Sequence, residues 1–222
     1  MPSSHLPGGV LVFTRTTAYR HDSIPAGIDA LGELAAGEGL KTYATDDPGV
    51  FTAGDLASYS AVVFLSTSGD VLTEEGKAAL ERYIGSGGGF VGVHSAACTE
   101  YGWPYYGELV GARFDGHPDI QPAVVTVEDA GHPATAHLPE RWEWTDEWYN
   151  FRANPRPGVR VLATVDERLY EGGTMGNDHP LVWCHRLGDG RAFYTALGHS
   201  AEAYADPAFR AHLLGALRWA RG

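Results

Sequence analysis

The residues of this chain that could do chemistry are histidines placed where strands end. In Gly87-Gly88-Gly89-Phe90-Val91-Gly92-Val93-His94-Ser95-Ala96-Ala97 a buried strand reads into a sharp turn that presents His94. Open α/β folds put a Ser or Cys nucleophile at such an elbow, between a strand's carboxyl end and a helix start. Here Gly92 is expected to permit a close backbone approach, Ser95 to cap the following helix, and the exposed amides of that helix to favour an anion or oxyanion. Ser95 fits poorly as a nucleophile, since Gly-x-Ser-x-Gly would need glycines at the positions of Val93 and Ala97. A second cluster, Ala196-Leu197-Gly198-His199-Ser200-Ala201-Glu202, follows a strand directly, so His199 is a candidate general base or metal ligand. The third is Tyr19-Arg20-His21-Asp22-Ser23, in the loop after the first strand. In a doubly wound sheet that loop leaves the same edge as the elbow, so His21 can meet His94. Each imidazole also has a plainer reading, as a loop brace or a helix cap.

Trp142-Glu143-Trp144-Thr145-Asp146-Glu147-Trp148-Tyr149-Asn150-Phe151 interleaves rings with carboxylates. Ring faces pack on the C–H faces of sugars and carboxylates accept hydroxyl hydrogen bonds, which suits a carbohydrate. The plainer alternative is a half-buried strand, with Trp142 and Trp144 alternating and the acidic groups solvated. His117 follows Asp115-Gly116 in a loop that could reach a pocket, whereas His132-Pro133 reads as turn punctuation and His5, His137 and His212 as surface or core residues. A divalent metal held by His21, His94, His199 and Glu147 is open by residue type, although no His-Glu-x-x-His or paired-cysteine signature occurs and zinc cannot be ranked against manganese or iron.

Composition sets the bounds. The 222 residues suffice for one domain with a full core, and the net charge of -12 excludes phosphate backbones and anionic membranes as natural partners. No apolar run reaches about 18 residues and the start lacks a signal core, so a soluble cytoplasmic protein is expected. Cys98 and Cys184 are too few for a disulfide scaffold and read as reduced thiols.

The elements that must position these groups follow from periodicity. Gly9–Phe13 and Ala61–Ser66 are short apolar runs of the kind buried on both faces, and Leu40–Ala44 is a weaker strand. Ser23 and Pro25 open a helix whose face carries Ile28, Leu31, Leu34 and Ala35, and Thr73-Glu74-Glu75 opens another carrying Ala79, Leu80, Tyr83 and Ile84. Phe90–Val93 completes a β-α-β-α-β series, which implies parallel strands with right-handed crossovers. Beyond Gly107, strands at Ala123–Val127, Arg141–Trp144 and Val159–Ala163 have no full helix between them, and are expected to extend the sheet or form an antiparallel flap. Leu181–His185 and Ala192–Ala196 flank Gly188-Asp189-Gly190 as a hairpin, and Asp206-Pro207 caps a last helix through Leu213, Leu214, Leu217 and Trp219. The expected fold is α/β, a doubly wound, mostly parallel sheet with an added antiparallel region in the second half.

Tyr19–Ile24, Gly92–Ala96, Phe114–Pro118, Thr145–Tyr149 and Phe193–Ser200, in that order, resemble the ThuA-like (trehalose utilisation) family over nearly the whole chain. That resemblance implies a single domain over residues 1–222, similar to the class I glutamine amidotransferase fold, whose elbow reads Gly-x-Cys-x-Gly and whose triad histidine follows a late strand. His94 then stands where the cysteine would be and His199 near the triad histidine. An imidazole cannot form the thioester-type intermediate of amidotransfer, so glutaminase activity is not expected. The resemblance implies a role in catabolism of a disaccharide or its keto form. The leading reading is an isomerase, lyase or hydrolase in which His94 and His199 act as acid/base groups or metal ligands, with Glu147 as partner and His21 completing the pocket. Ser95, Asp146, Trp148, Tyr149 and His117 would contact substrate. The partner would be a small carbohydrate, and a homodimer is compatible. The rival is a non-catalytic sugar-binding or regulatory module; a hydrolase using Cys98 ranks last, because that thiol lies a helical turn past the elbow.

Overall fold

Short runs of apolar residues separated by amphipathic stretches leave the first half of the chain little choice but buried parallel strands linked by helices. The computed structural model describes residues 8–222, so the readings of the chain start and of His5 fall outside the described residues. In order the elements are β1 (Gly9–Phe13), α1 (Ile24–Gly37), β2 (Lys41–Thr45), α2 (Ala53–Leu56), β3 (Ala61–Leu65), α3 (Glu74–Gly85), β4 (Gly89–Val93), α4 (Pro104–Val110), β5 (Phe114–Gly116), β6 (Gln121–Val127), β7 (Arg141–Asp146), β8 (Asn150–Phe151), β9 (Arg160–Val165), β10 (Pro180–Leu187), β11 (Gly190–Thr195) and α5 (Pro207–Arg221).

Nine strands form one mixed sheet in the order β2-β1-β3-β4-β11-β10-β9-β6-β7, and β5 pairs with β8 separately. From β2 to β11 the pairings are parallel, and from β11 to β7 they are antiparallel. The second-half strands therefore extend the sheet and do not fold back as a flap. β1, β3 and β4 are buried along their whole length, as continuous apolar runs require, while β2 lies at the edge with most of its residues exposed. α1 packs against α5, and α2 against α3.

Several local expectations need correction. Ser23 occupies the N-cap position of α1, but its backbone is already helical and its hydroxyl has no hydrogen-bond partner. Thr73 and Asp206 do cap, accepting from Gly76 N at 3.1 Å and from Ala208 N and Phe209 N at 2.8 and 2.9 Å. Beyond the elbow there is no α-helix start. His94–Cys98 is a five-residue 3₁₀ turn that Ser95 does not cap, too short to present a helix dipole to an anion. The next helix is α4, which the periodicity did not reveal because seven residues give only Tyr106, Leu109 and Val110 as a buried face.

His132 and His212 belong to the core. His212 Nδ1 donates to Ala134 O at 2.7 Å, and His132 Nδ1 accepts from Ala134 N at 3.2 Å. Burial pushes both imidazoles down to about 4. The unfolded chain takes up these protons near pH 6.5 and the native state only near 4, so acidification from pH 7 to 5 favours unfolding, by about 1–2 kcal/mol for each histidine. Urea unfolding at the two pH values should show that loss, and His132→Asn, which keeps an acceptor for Ala134 N, should reduce it. An unchanged pH dependence in the variant would remove His132 from the account.

Candidate functional site

Strand direction decides which side chains can meet. β1, β4 and β11 run parallel, and each antiparallel step from β11 reverses the direction, so β7, four steps away, points the same way. The carboxyl ends of β1, β4, β11 and β7 thus share one sheet edge. His21 lies in the loop after β1, His94 directly follows β4, His199 lies in the loop after β11, and Glu147 directly follows β7. β5 and β8 add a fifth segment. Gly116 pairs with Asn150, which sets His117 beside Glu147 and Tyr149.

His94 takes φ +51°, a left-handed conformation that costs a non-glycine residue of order 1–3 kcal/mol and persists only where its surroundings hold it. Two tyrosines hold it: Tyr194 OH donates to His94 O at 2.8 Å and Tyr106 OH to Ala96 O at 2.9 Å. Gly92 relieves crowding, since a Cβ there would lie 3.1 Å from the Tyr194 ring and 3.3 Å from Ala96 Cβ. The close approach is by side chains, not by backbone as the sequence suggested.

His94 Nδ1 donates to Ala196 O at 2.7 Å, which leaves Nε2 with its lone pair toward the site. Around that nitrogen lie Tyr149 OH at 2.9 Å, His21 Nε2 at 3.1 Å and Glu147 Oε2 at 3.4 Å. His199 Nδ1 is 3.0 Å from the same Glu147 oxygen, and His117 Nε2 is 3.6 Å from the other. His21 Nδ1 is turned outward to Ser95 Oγ at 3.3 Å. His21, His94, His199 and Glu147 each offer one ligand atom, all within 4.8 Å of one another, so these four could hold a cation.

Burial opposes ionisation of Glu147, but His199 and His94 outweigh it and hold the carboxyl below the usual range. The contact with Glu147 in turn raises His199 against burial. His21 is pushed down to about 3, first by burial and then by the neighbouring imidazoles, so it is neutral. Burial pushes the Cys98 thiol up to about 12, far from thiolate chemistry.

A cavity of about 550 Å³ opens on this cluster, lined by His21, Glu147, His117, Tyr149, Ser95 and Cys98, with Tyr19, Tyr101 and Phe114 among its remaining walls. His94 is fully buried behind it, and His199 lines a smaller cavity of about 360 Å³ with Asp146 and Trp144. The four clustered residues therefore sit between two cavities. A larger cleft of about 610 Å³ lies elsewhere, and two of its carboxylates, Glu128 and Asp178, are both bound by Arg156.

Two residues expected to contact substrate make structural contacts. Trp148 is fully buried against Tyr170, its Nε1 donating to Gln121 O at 3.0 Å, and it does not line the cavity. Trp142 and Trp144 pack on each other at 4.5 Å on one face of β7. Asp146, also buried, accepts from Glu147 N at 2.9 Å, His199 N at 3.2 Å, Gly198 N at 2.9 Å and Trp144 Nε1 at 2.9 Å. It ties the segment carrying Glu147 to the segment carrying His199. Gly198 meets it at φ +108°, where a side chain would also crowd Tyr204 and Phe209. Tyr19, Tyr101, Phe114 and His179 were not foreseen as parts of the site. Of these Tyr19 had a signal in its place near His21, and Phe114 in the Phe114–Pro118 stretch. His179, buried, lies 2.8 Å from both Tyr149 O and Glu167 Oε1 and so braces the Tyr149 backbone, with no sequence pattern to announce it.

Asp146→Asn replaces an acceptor with a donor facing buried N–H groups, and should cost about 1–3 kcal/mol in urea unfolding. It should also lower turnover by loosening both segments. A variant as stable as the parent would show that Asp146 does not organise the site.

A family model described as ThuA: Trehalose utilisation matches residues 9–220. Among solved structures, a ThuA-like protein from Bacteroides uniformis ATCC 8492 superposes with a TM-score of 0.80 at 25% identity, covering 98% of this chain and 93% of that one. A ThuA-like protein from Parabacteroides merdae ATCC 43184 gives 0.79 at 24%, covering 97% and 90%. A cytoplasmic protein from Salmonella typhimurium gives 0.66 at 10%, covering 96% and 98%, a likeness of fold alone. No curated protein matches the chain.

Proposed function

The chain belongs to the ThuA (trehalose utilisation) family, and from that premise we propose that it is a sugar-catabolism enzyme acting on a disaccharide or keto-glycoside, and not a glutamine amidotransferase. The supporting observation is the gathering of three imidazoles and Glu147 within 4.8 Å of one another, with His21 and Glu147 in the wall of a cavity of about 550 Å³, a size usual for small-molecule sites, roughly 300–1,000 Å³. The reading takes the parallel half as doubly wound, in keeping with the separate pairing of α1 with α5 and α2 with α3. It takes the protein as soluble and cytoplasmic, in keeping with the absence among the described residues of any helix long and apolar enough to cross a membrane.

The elbow imidazole does not touch the cavity, so the proton-handling role expected of His94 passes to a group that does. His117 is exposed at the cavity wall, and its Nδ1 lies 2.8 Å from Pro118 O. Donation there leaves Nε2 as the basic face, 3.6 Å from Glu147 Oε1. In a keto-glycoside the hydrogen on the carbon next to the carbonyl is acidic. His117 takes that proton, the electron pair passes into the enolate, and the wall of His21 and Glu147, fixed from behind by His94 and His199, anchors the sugar oxygens. Isomerisation and elimination begin with this step, and net hydrolysis does so where elimination of the leaving sugar is followed by addition of water.

His117→Ala should lower kcat on 3-keto-trehalose by about 10²–10⁴-fold, with the melting temperature unchanged because the ring is exposed. Mass spectrometry of trehalose and 3-keto-trehalose incubations reads the outcome. Full turnover in the variant removes His117 as the base, and binding of both sugars by the parent protein without product points to a non-catalytic module. Iodoacetamide at neutral pH should leave turnover intact, since the Cys98 thiol is protonated; inactivation traced to Cys98 would restore the thiol reading.

A further inference from the structure

We propose that His21, His94, His199 and Glu147 form a site for one first-row divalent transition-metal ion, bound through three imidazole nitrogens and one carboxylate oxygen. Two donors each about 2.1 Å from one cation, at tetrahedral or octahedral angles, lie about 3.0–3.4 Å apart. The separations here are 3.1 Å from His94 Nε2 to His21 Nε2, 3.4 Å from His94 Nε2 to Glu147 Oε2 and 3.0 Å from His199 Nδ1 to Glu147 Oε2. These three match the edges of a coordination polyhedron, and all four ligand atoms lie within 4.8 Å of one another, a spread that small side-chain shifts toward an ion would close. As a set of hydrogen bonds the same arrangement is unsatisfactory. His199 Nδ1 is buried and, though close to Glu147, makes no hydrogen bond of proper alignment. His94 Nε2, whose ring holds Ala196 O through Nδ1, approaches Glu147 Oε2 at 3.4 Å without an aligned hydrogen bond, and a cation between them would engage both. Among the described residues Glu147 has imidazoles, and neither Lys nor Arg, as ion-pair partners.

The outer groups fix the ligands in the manner of metal-binding histidines, whose second ring nitrogen is held by a hydrogen bond. His94 Nδ1 is held by Ala196 O, and His21 Nδ1 by the Ser95 hydroxyl. The Tyr149 hydroxyl, 2.9 Å from His94 Nε2, stands at the cavity side of the cluster, where it would donate to an oxygen bound at the ion. Three imidazoles select a zinc-, iron- or manganese-type ion over magnesium or calcium, which favour all-oxygen sites. The binding site stands on this geometry alone. Its part in turnover, polarising a keto oxygen while His117 takes the neighbouring proton, rests on the sugar reading.

Tag-free, chelator-stripped protein titrated calorimetrically with Zn²⁺, Mn²⁺ and, without oxygen, Fe²⁺ should bind at least one of them at one ion per chain, while Mg²⁺ and Ca²⁺ give no saturable binding. His199→Ala, in a loop, and the isosteric Glu147→Gln should each weaken that binding at least tenfold with the circular dichroism spectrum preserved, and His137→Ala, at an exposed imidazole outside the cluster, should not. Co²⁺ should give a visible d–d spectrum that Glu147→Gln alters. Absence of one-to-one binding by all three ions, or undiminished affinity in both site variants, overturns the proposal. Turnover of 3-keto-trehalose by metal-free protein would overturn the ion's part in catalysis and leave the sugar reading standing, whereas tight binding without turnover of any keto-glycoside would do the reverse.

Discussion

The position of the whole site depends on one buried carboxylate, Asp146, which receives four N–H groups from the end of β7 and the loop after β11. These two strands are not neighbours, since β10, β9 and β6 lie between them in the sheet. Nothing in the ladder hydrogen bonds would bring Glu147 to His199. A buried carboxylate is costly unless several donors satisfy it, and here two of the four donors, the amides of Gly198 and His199, reach it only when both segments are in place. The geometry of the cluster is thus coupled to the satisfaction of a charge, which makes it rigid. Arg113 does comparable work on the far wall, where it donates to the carbonyls of Thr99, Glu100 and Trp103 beside the cavity-lining Tyr101.

How far the sequence disclosed this depends on what kind of signal each residue leaves. The strands of the parallel half are legible because burial on both faces demands unbroken apolar runs, and the end of such a run marks where a side chain can be presented. His94 and His199 stand at those ends, and Glu147 stands in a cluster whose composition drew attention. Direction is what composition does not carry. Trp148 lies two residues past the end of β7, beyond the strand's period-2 alternation, so nothing in the aromatic stretch tells that its ring turns into the core while Tyr149 turns toward His94. Asp146 and Glu147 are chemically alike and adjacent, yet one faces amides and the other imidazoles; only the tertiary partners distinguish them. The cap assigned to Ser23 failed for a related reason. Residue type gives the capacity to cap, but the backbone conformation decides, and Ser23 is already helical.

The strain at His94 bears on why a histidine stands at the elbow at all. A nucleophile there must face the cavity, and the left-handed turn serves to expose it. In this chain the turn is kept, φ +51°, but the side chain is fully buried beneath Tyr149 and His21. A conformation that costs of order 1–3 kcal/mol is here used to aim a lone pair inward at three other donors. The cost is offset by the rest of the core, where β1, β3 and β4 bury every residue, and by the Tyr194 and Tyr106 hydroxyls that hold the turn. If the imidazole were only a packing residue, a smaller apolar side chain would fill the space without setting Nε2 against a carboxylate. The combination of a strained backbone, a fixed tautomer and a cluster whose carboxylate has no Lys or Arg partner among the described residues is what the proposed cation site asks of the elbow.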